Sequence, residues 1–258
     1  MTYSRCLLAG LLTLAAVVAF AAAQGQSVLA QEAAPAADAP VYLDEPTPPP
    51  KPIVTQEGPT KEEYEPGKSR VERHVRVMSD NTIVNHGKFT EFYRNGQKFA
   101  EGNYDMGVLD GPWSYWHENG QLSKTVNFVK GQPDGAWEVY RADGTLEAKR
   151  SYKNGKRDGK WVSYFEDGKT PKIEQEYADG LLNGNVTIYF ESGKPRIQTP
   201  FKNNLREGRV TEWDESGRKV AEADYVAGKL EGELIRYAPD GTATKETYKD
   251  NKRIGASS

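Results

Sequence analysis

The sequence lacks several features on which small folds and active sites commonly depend. A single cysteine, Cys6, occurs among the 258 residues, which excludes an intramolecular disulfide and the paired cysteines of structural zinc sites. Only 37 % of the residues are apolar, too few for a thick conventional core. Aromatic residues nevertheless make up 10 % of the chain, which is too many for a wholly disordered protein. Some regular arrangement must therefore bury the rings.

The motifs that mark common catalytic and cofactor sites are also missing. The sequence contains no G-x-S-x-G, P-loop or H-E-x-x-H motif, and no EF-hand spacing. The three histidines, His74, His86 and His117, show no ligand spacing. A zinc site built from them, calcium on the many Asp-Gly pairs, and a hydrolase site of paired carboxylates stay open as minor alternatives. We predict a protein without enzyme activity, catalytic residues, cofactor or metal.

Charge divides the chain into two parts. Residues 31–72 hold nine acidic and four basic residues, whereas residues 73–258 hold 28 acidic and 29 basic residues. A nearly neutral folded part lacks the electrostatic attraction that drives nucleic-acid binding, so we predict no nucleic-acid partner. Basic pairs such as Lys149-Arg150 and Lys156-Arg157 alternate with acidic residues, and we interpret them as solvated sheet surface. Binding of phosphate or lipid headgroups by these pairs is the alternative.

Residues 1–30 have the pattern of an export signal. A short basic start is followed by an apolar run over 7–20 and by small residues around 21–23 and 28–30. The run is alanine-rich and ends in a polar segment, unlike a strongly apolar membrane span. We expect an exported, periplasmic or extracellular protein; the alternative is a chain tethered to the membrane by an uncleaved N-terminal segment.

Residues 31–72 are rich in proline, alanine and acidic residues. The segment contains nine of the fifteen prolines and almost no apolar periodicity. Such a segment cannot bury enough apolar surface to offset its conformational entropy. We interpret residues 31–72 as a disordered spacer that precedes a folded domain at residues 73–258.

An internal repeat of about 24 residues is the strongest feature of the sequence. Two glycine series and one aromatic series keep the same period over seven copies. The first glycine series is Gly87, Gly111, Gly135, Gly159, Gly184, Gly208 and Gly232. The second includes Gly120, Gly144 and Gly168, and the aromatic series includes Tyr152, Tyr177 and Tyr225. Within each copy an aromatic or apolar residue follows the first glycine by two and five positions, as in Trp113, Trp137, Trp161, Tyr140 and Tyr164.

Each copy is predicted to form one β-hairpin. The segments between turn signals are six to eight residues long, which is the length of a strand and too short for a helix. Pairs such as Asn119-Gly120 tolerate the positive φ of tight hairpin turns. We place the connections between units at Asp110-Gly111 and its equivalents, together with a short turn at Asn154-Gly155, where Asn204 and Asn251 replace glycine in later units. The prediction is an all-β fold in which about seven tandem hairpins form one elongated antiparallel meander sheet.

Stability must come from stacking, because an isolated hairpin is marginal in water. Residues three apart on a strand face opposite sides, so Trp113 and Trp116 lie on different faces, as do Trp137 and Tyr140. Either the sheet curls to cover one face or both faces stay partly wet. The fourth unit is one residue longer and the last one residue shorter, and we assign both differences to loops.

The segments Asp110–Gly120, Asp134–Gly144 and Asp158–Gly168 read Asp-Gly-x-Trp-x-x-Tyr (or Trp)-x-x-x-Gly. This pattern resembles the MORN repeat variant, and it is similar to the bacterial MORN-variant proteins of the YwqK-type antitoxin family. The resemblance extends over about residues 87–255 and is strongest in units two to four. It weakens where Val186, Val210 and Leu234 replace tryptophan.

The resemblance implies a repeated hairpin array used for interaction or scaffolding, with no catalytic motif to carry over. With the export signal, it leads us to expect a non-enzymatic scaffold at the bacterial cell envelope whose partner is a protein or an envelope component. A membrane-surface or lipid-headgroup binding module is the first alternative. An antitoxin-like role is the second, although it fits poorly with export. The oligomeric state is not predicted.

Overall fold

The computed structural model describes residues 51–257, and they form one antiparallel sheet of 19 strands. The predicted export signal and residues 31–50 of the predicted spacer lie outside the described residues. The strands are β1 (Val54–Glu65), β2 (Lys68–Met78), β3 (Ile83–Phe92), β4 (Lys98–Asp105), β5 (Val108–Trp116), β6 (Leu122–Val129), β7 (Gln132–Tyr140), β8 (Leu146–Lys153), β9 (Lys156–Arg157), β10 (Gly159–Tyr164), β11 (Pro171–Ala178), β12 (Leu181–Tyr189), β13 (Pro195–Lys202), β14 (Leu205–Arg206), β15 (Gly208–Trp213), β16 (Lys219–Val226), β17 (Lys229–Tyr237), β18 (Ala243–Lys249) and β19 (Lys252–Ser257).

Neighbours in sequence are neighbours in the sheet. Every pairing joins consecutive segments in antiparallel register. The short β9 and β10 both pair with β8, and the short β14 and β15 both pair with β13, so each of these two pairs of segments acts as one strand of the sheet. Within residues 51–257, β1 pairs only with β2 and β19 only with β18, so the meander is open. The predicted all-β array of tandem hairpins is thereby confirmed. No helix in the described part of the chain is long and apolar enough to cross a membrane.

The connections between units are two-residue turns. Both turn residues have positive φ, as at Lys130 (50°) and Gly131 (78°) and at Asn154 (50°) and Gly155 (77°). This is the geometry of a type I′ turn, whose twist matches that of the flanking strands. Glycine and asparagine occupy most of these sites because they tolerate the left-handed region.

The inter-unit turn predicted at Gly155, Asn204 and Asn251 is confirmed. Assigning Asp110-Gly111 and its equivalents to the connections was wrong, because the first glycine series lies within or at the start of strands. Asn103 pairs with Asp110 and Glu101 with Ser114, so β5 carries two extra residues against β4. Gly111 lies in this bulge with φ of 74°, and bulges need positive φ just as turns do. The same irregularity recurs beside Gly87, Gly135, Gly159, Gly184, Gly208 and Gly232.

The second glycine series occupies the turn inside each hairpin. Gly120, Gly144 and Gly168 have φ of 83°, 85° and 64°. The Arg141 amide donates to the Thr145 carbonyl, four residues on, whereas the Phe165 amide donates to Thr170, five residues on. The extra residue of the fourth unit therefore lies in a loop, as predicted. In the last unit the loop has the ordinary length, with the Ala238 amide donating to Thr242. The register shift that other units have where their second strand begins is missing there, so assigning its missing residue to a loop was wrong.

The spacer prediction was wrong for residues 54–72, which lie in β1 and β2. Val71 is 5 % exposed and pairs with Glu62 across the hairpin. The Glu62 carboxylate forms ion pairs with Arg70 and with Arg73, the latter at 2.7 Å. Proline is tolerated here because β1 is an edge strand. Two of the acidic residues that suggested disorder, Glu57 and Glu62, are matched by arginines on β2.

The described residues form a single layer, so buried side chains are scattered along the sheet. Most belong to the face that carries Trp113, and the buried apolar residues are Val71, Met78, Ala100, Trp113, Val126, Ala148, Val162, Tyr177, Leu182, Val186, Phe201, Ala223, Tyr225, Leu234 and Ile235. Of the two arrangements that the sequence left open, a sheet with both faces partly exposed is the one observed.

Candidate binding face

The two faces of the sheet differ in chemistry, and cross-strand register separates them. Trp113 pairs with Val126, which pairs with Trp137; we call the side bearing these residues the tryptophan face. Glu138 and Tyr140 lie on the opposite side, which we call the glutamate face, and Tyr164 takes the equivalent position three residues after Trp161. The expected separation of residues three apart therefore holds for Trp137 and Tyr140.

Aromatic rings form two ladders on the tryptophan face. In the first, the Tyr104 ring lies 5.4 Å from Phe89 and 5.1 Å from Trp113, between centroids. In the second, successive centroids are 5.2 Å apart along Trp137, Tyr152, Trp161 and Tyr177. Edge-on and tilted contacts at these distances are favourable. The ladders exist because the repeat brings equivalent rings onto neighbouring strands.

Each aromatic residue of the repeat series is paired directly with a glycine of the first series. Gly135 pairs with Tyr152 and Gly159 with Tyr177. The same pairing joins Gly208 to Tyr225, and Gly87, Gly111, Gly184 and Gly232 to Tyr104, Phe128, Phe201 and Tyr248. A glycine leaves open space, which a large ring from the adjacent strand can cover.

Cations lie on the rings of the ladders. Lys124 Nζ is 4.1 Å from the Tyr115 ring centroid and 5.3 Å from that of Trp137, so it bridges the gap between the two ladders. Arg150 lies 5.3 Å from the Trp161 centroid, and Arg157 lies 4.4 Å from that of Tyr177. A cation over an aromatic ring is attracted by the negative ring face.

No acidic side chain of the described strands balances these cations. None of Lys124, Arg150 and Arg157 has a carboxylate within 4.0 Å among residues 51–257. Burial, and then the nearby charge of Arg150, lowers the pKa of Lys124. From β6 to β11 the alternation of the described strands places only uncharged residues beside the three cations on this face, namely Val126, Phe128, Trp137, Val139, Ala148, Tyr152, Trp161, Ser163, Ile173, Gln175 and Tyr177.

The tryptophans of the ladders are not equivalent. The Trp113 indole N–H donates to the Asn103 carbonyl at 3.0 Å, and that of Trp161 donates to the Ser151 carbonyl at 2.9 Å. The Trp137 Nε1 is buried and has no partner among the described residues. Trp137 thus lacks the indole hydrogen bond of the other two tryptophans. It lies beside Lys124, at the gap between the two ladders.

Apolar clusters replace the ladders toward the C-terminus. One cluster joins Tyr177, Leu182, Val186 and Phe201, and a second joins Ala223, Tyr225 and Leu234. The substitutions that weaken the repeat pattern thus keep apolar side chains on the same face. Glu212 lies between these clusters, paired with Ile197 and Ala221.

Replacing Glu212 with glutamine is expected to stabilise the protein at neutral pH, by less than about 1 kcal/mol because the site is partly solvated. Burial raises the pKa of the Glu212 carboxyl. A raised folded-state pKa means that the folded protein binds the proton more tightly, so stability falls as pH rises through that pKa. The advantage of Glu212→Gln should therefore vanish under acidic conditions. Urea unfolding at pH 7 and pH 4 measures this; an advantage that grew at low pH would contradict it.

The glutamate face satisfies its own charges. Glu138 accepts a hydrogen bond from Tyr140 at 2.6 Å and forms an ion pair with Lys149 at 3.0 Å. The hydrogen bond to Glu138 is the main cause that raises the pKa of Tyr140 to about 12. Tyr189 and Tyr237 also donate to glutamates, Glu174 and Glu222, which here lie on the neighbouring strand. This face therefore offers few uncompensated charges.

The Asp-Gly pairs support the turns that connect one unit to the next. The Asn154 amide donates to the Asp134 carboxylate at 2.9 Å, and the Gly155 amide donates to the Pro133 carbonyl at 2.9 Å. His117 Nε2 lies 2.8 Å from the Tyr140 carbonyl oxygen, its acceptor in the next unit. Among residues 51–257 no three His, Cys, Asp or Glu side chains are gathered in a way that could hold a metal ion.

Sequence reasoning missed where the side chains of two basic pairs lie. Lys149-Arg150 and Lys156-Arg157 were both assigned to solvated surface, yet Arg150 and Arg157 lie on aromatic rings while Lys149 faces the other way. Strand alternation contained this signal, since neighbours in a strand face opposite sides. To recognise which member of each pair lies on the rings, the pairing register of neighbouring strands is needed, and the bulges alter that register.

Comparison with known families agrees with the repeat geometry. Residues 85–106, 109–130, 133–154 and 182–203 match the family model described as MORN repeat variant. Each matched segment begins two residues before a glycine of the first series and ends in a type I′ turn. The matched units are the first, second, third and fifth. No curated protein matched the chain.

Proposed function

Since the chain contains MORN-variant repeats, we propose that it is a non-enzymatic binding or scaffold module exported to the bacterial cell envelope. The observation that supports this best is the tryptophan face, where aromatic rings and unpaired cations recur across consecutive strands of a one-layer sheet. Such a face presents many similar contacts along one direction, which suits an extended partner better than a small molecule. Export rests on the sequence of residues 1–30.

Affinity capture tests the binding role. The full chain, crosslinked in intact cells and recovered from the envelope fraction, is expected to bring down a specific protein or envelope polymer. Substitution of Lys124 and Arg150 should reduce the recovery, whereas substitution of Lys149 and Lys160 on the glutamate face should not. Recovery of nothing specific would contradict a scaffold role, and recovery of a toxin would support the antitoxin-like alternative.

Fractionation tests the location. The protein is expected in the periplasm or medium, with an N-terminus created by cleavage near residues 23 or 30. N-terminal sequencing of the purified protein measures this. An intact Met1 in a membrane fraction would support the tethered alternative, and a cytoplasmic protein with an intact N-terminus would contradict export.

A further inference from the structure

We propose that the tryptophan face between β6 and β11 binds an acidic polysaccharide, a linear polymer of carboxylated sugars. This inference rests on the proposed binding role and names the class of its ligand. Three observations support it: the cations lack acidic partners among residues 51–257, they are arranged across the strands, and they alternate with partly accessible rings.

The charge of this surface calls for an anionic ligand. Lys124 and Arg150 are half-buried, repel each other and make no hydrogen bond or ion pair with any described residue. Half-buried charges are costly unless they are paired. By contrast, Lys149 and Lys160 on the glutamate face pair with Glu138 and Glu174 at 3.0 Å. A carboxylate placed on the tryptophan face would supply the missing partner. The planar guanidinium group of Arg150 can donate two parallel hydrogen bonds to the two oxygens of such a carboxylate.

The arrangement of the cations favours a linear polymer. Lys124, Arg150 and Arg157 lie on β6, β8 and β9, and strands are about 4.8 Å apart in a sheet. The first two are therefore separated by about 10 Å across the strands. In the cross-strand register each cation is also displaced by two residues along the strands from the one before it, so the three cations follow a diagonal. A polymer that runs along this diagonal would meet one cation after another.

The rings favour sugars over the other anionic macromolecules. Trp137 and Trp161 are half-buried and lie in the sheet surface, packed against their neighbours, so they do not project as membrane anchors would. Sugar rings present C–H groups that pack on the negative face of an aromatic ring. Nucleic acid is disfavoured because its binding draws mainly on many phosphate contacts, and residues 73–258 carry nearly equal numbers of acidic and basic residues, with only a few cations on this face.

The test is binding of the full-length chain to polygalacturonate, with dextran as the neutral polymer. We expect binding to polygalacturonate that weakens as salt is added, and none to dextran. Lys124→Gln with Arg150→Gln should lower the affinity at least tenfold. The matched pair Lys149→Gln with Lys160→Gln, which removes the same charge from the other face, should change it less than twofold. Arg157 is left intact because it donates to Tyr177 and to the Gly180 carbonyl.

Melting curves of both double variants check that the sheet is intact. Equal loss of affinity in both variants, or no binding to polygalacturonate at low salt, would overturn the proposal. So would tighter binding to phosphatidylglycerol vesicles or to single-stranded DNA with the same dependence on Lys124 and Arg150. If polygalacturonate fails while envelope capture still depends on these two residues, the scaffold role stands and only the ligand class is wrong.

Discussion

Replacing Trp113 with alanine is expected to destabilise the protein by about 3–5 kcal/mol, the usual cost of deleting a large buried aromatic side chain. The residue is 3 % exposed, and its ring contacts those of Phe89 and Tyr104. The substitution also leaves the Asn103 carbonyl without the indole donor. Urea unfolding followed by far-ultraviolet circular dichroism measures the loss.

Trp137 is the matched control because it occupies the same position in the next unit. It is only half-buried and its indole N–H makes no hydrogen bond within residues 51–257. Trp137→Ala should therefore cost clearly less than Trp113→Ala. Equal losses would show that the repeat position, and not burial, determines the contribution of each tryptophan.

Replacing Gly102 with alanine is expected to cost about 1–3 kcal/mol through overpacking. A Cβ atom at Gly102 would overlap the indole ring of Trp113. The ring cannot move away freely because Phe89 and Tyr104 pack against it. Tryptophan fluorescence and urea unfolding together would report the displaced ring and the lost stability.

Gly58→Ala is the control for this substitution. Gly58 lies in the edge strand β1, has no positive φ, and would have nothing within 4 Å of an added Cβ. Alanine there should leave stability unchanged or slightly raised, since glycine costs entropy in a strand. A similar loss at both sites would mean that Trp113 does not pack on Gly102 as described.

The fold could be predicted from the sequence because the sequence features that determine it lie close together along the chain. The 24-residue period and the Asn-Gly and Asp-Gly pairs of the inner turns predict hairpins, and hairpins joined by short connections have to form a meander. The extra residue near Gly168 could be placed in a loop for the same reason. No long-range pairing had to be guessed.

The bulges and the first hairpin could not be predicted in this way. A glycine such as Gly111 shows that positive φ is needed, but a bulge and a turn need it equally. In residues 54–72, proline and acidic residues gave the composition of a spacer. These residues form ordered strands because of cross-strand ion pairs, such as that between Glu62 and Arg73. Only the register of β1 against β2 brings the two side chains together.

The candidate binding face was predictable in part. The repeat placed Trp113, Trp137 and Trp161 on one side, but it did not place Lys124 between two ladders or Arg150 on a ring. These contacts depend on how far each bulge shifts one strand along the next. Sequence spacing alone cannot provide this offset.

Amide hydrogen exchange at the turns between units tests the stacking of repeats most directly. The amides of Gly131, Gly155 and Gly180, in the connections between units, donate to the carbonyls of Leu109, Pro133 and Arg157, each on the first strand of the unit that precedes the connection. Exposed turn amides normally exchange quickly, whereas these should exchange slowly and at a period of about 24 residues. Rapid exchange at all three glycines, with slow exchange confined to single hairpins, would contradict a sheet that is held together by contacts between neighbouring repeats.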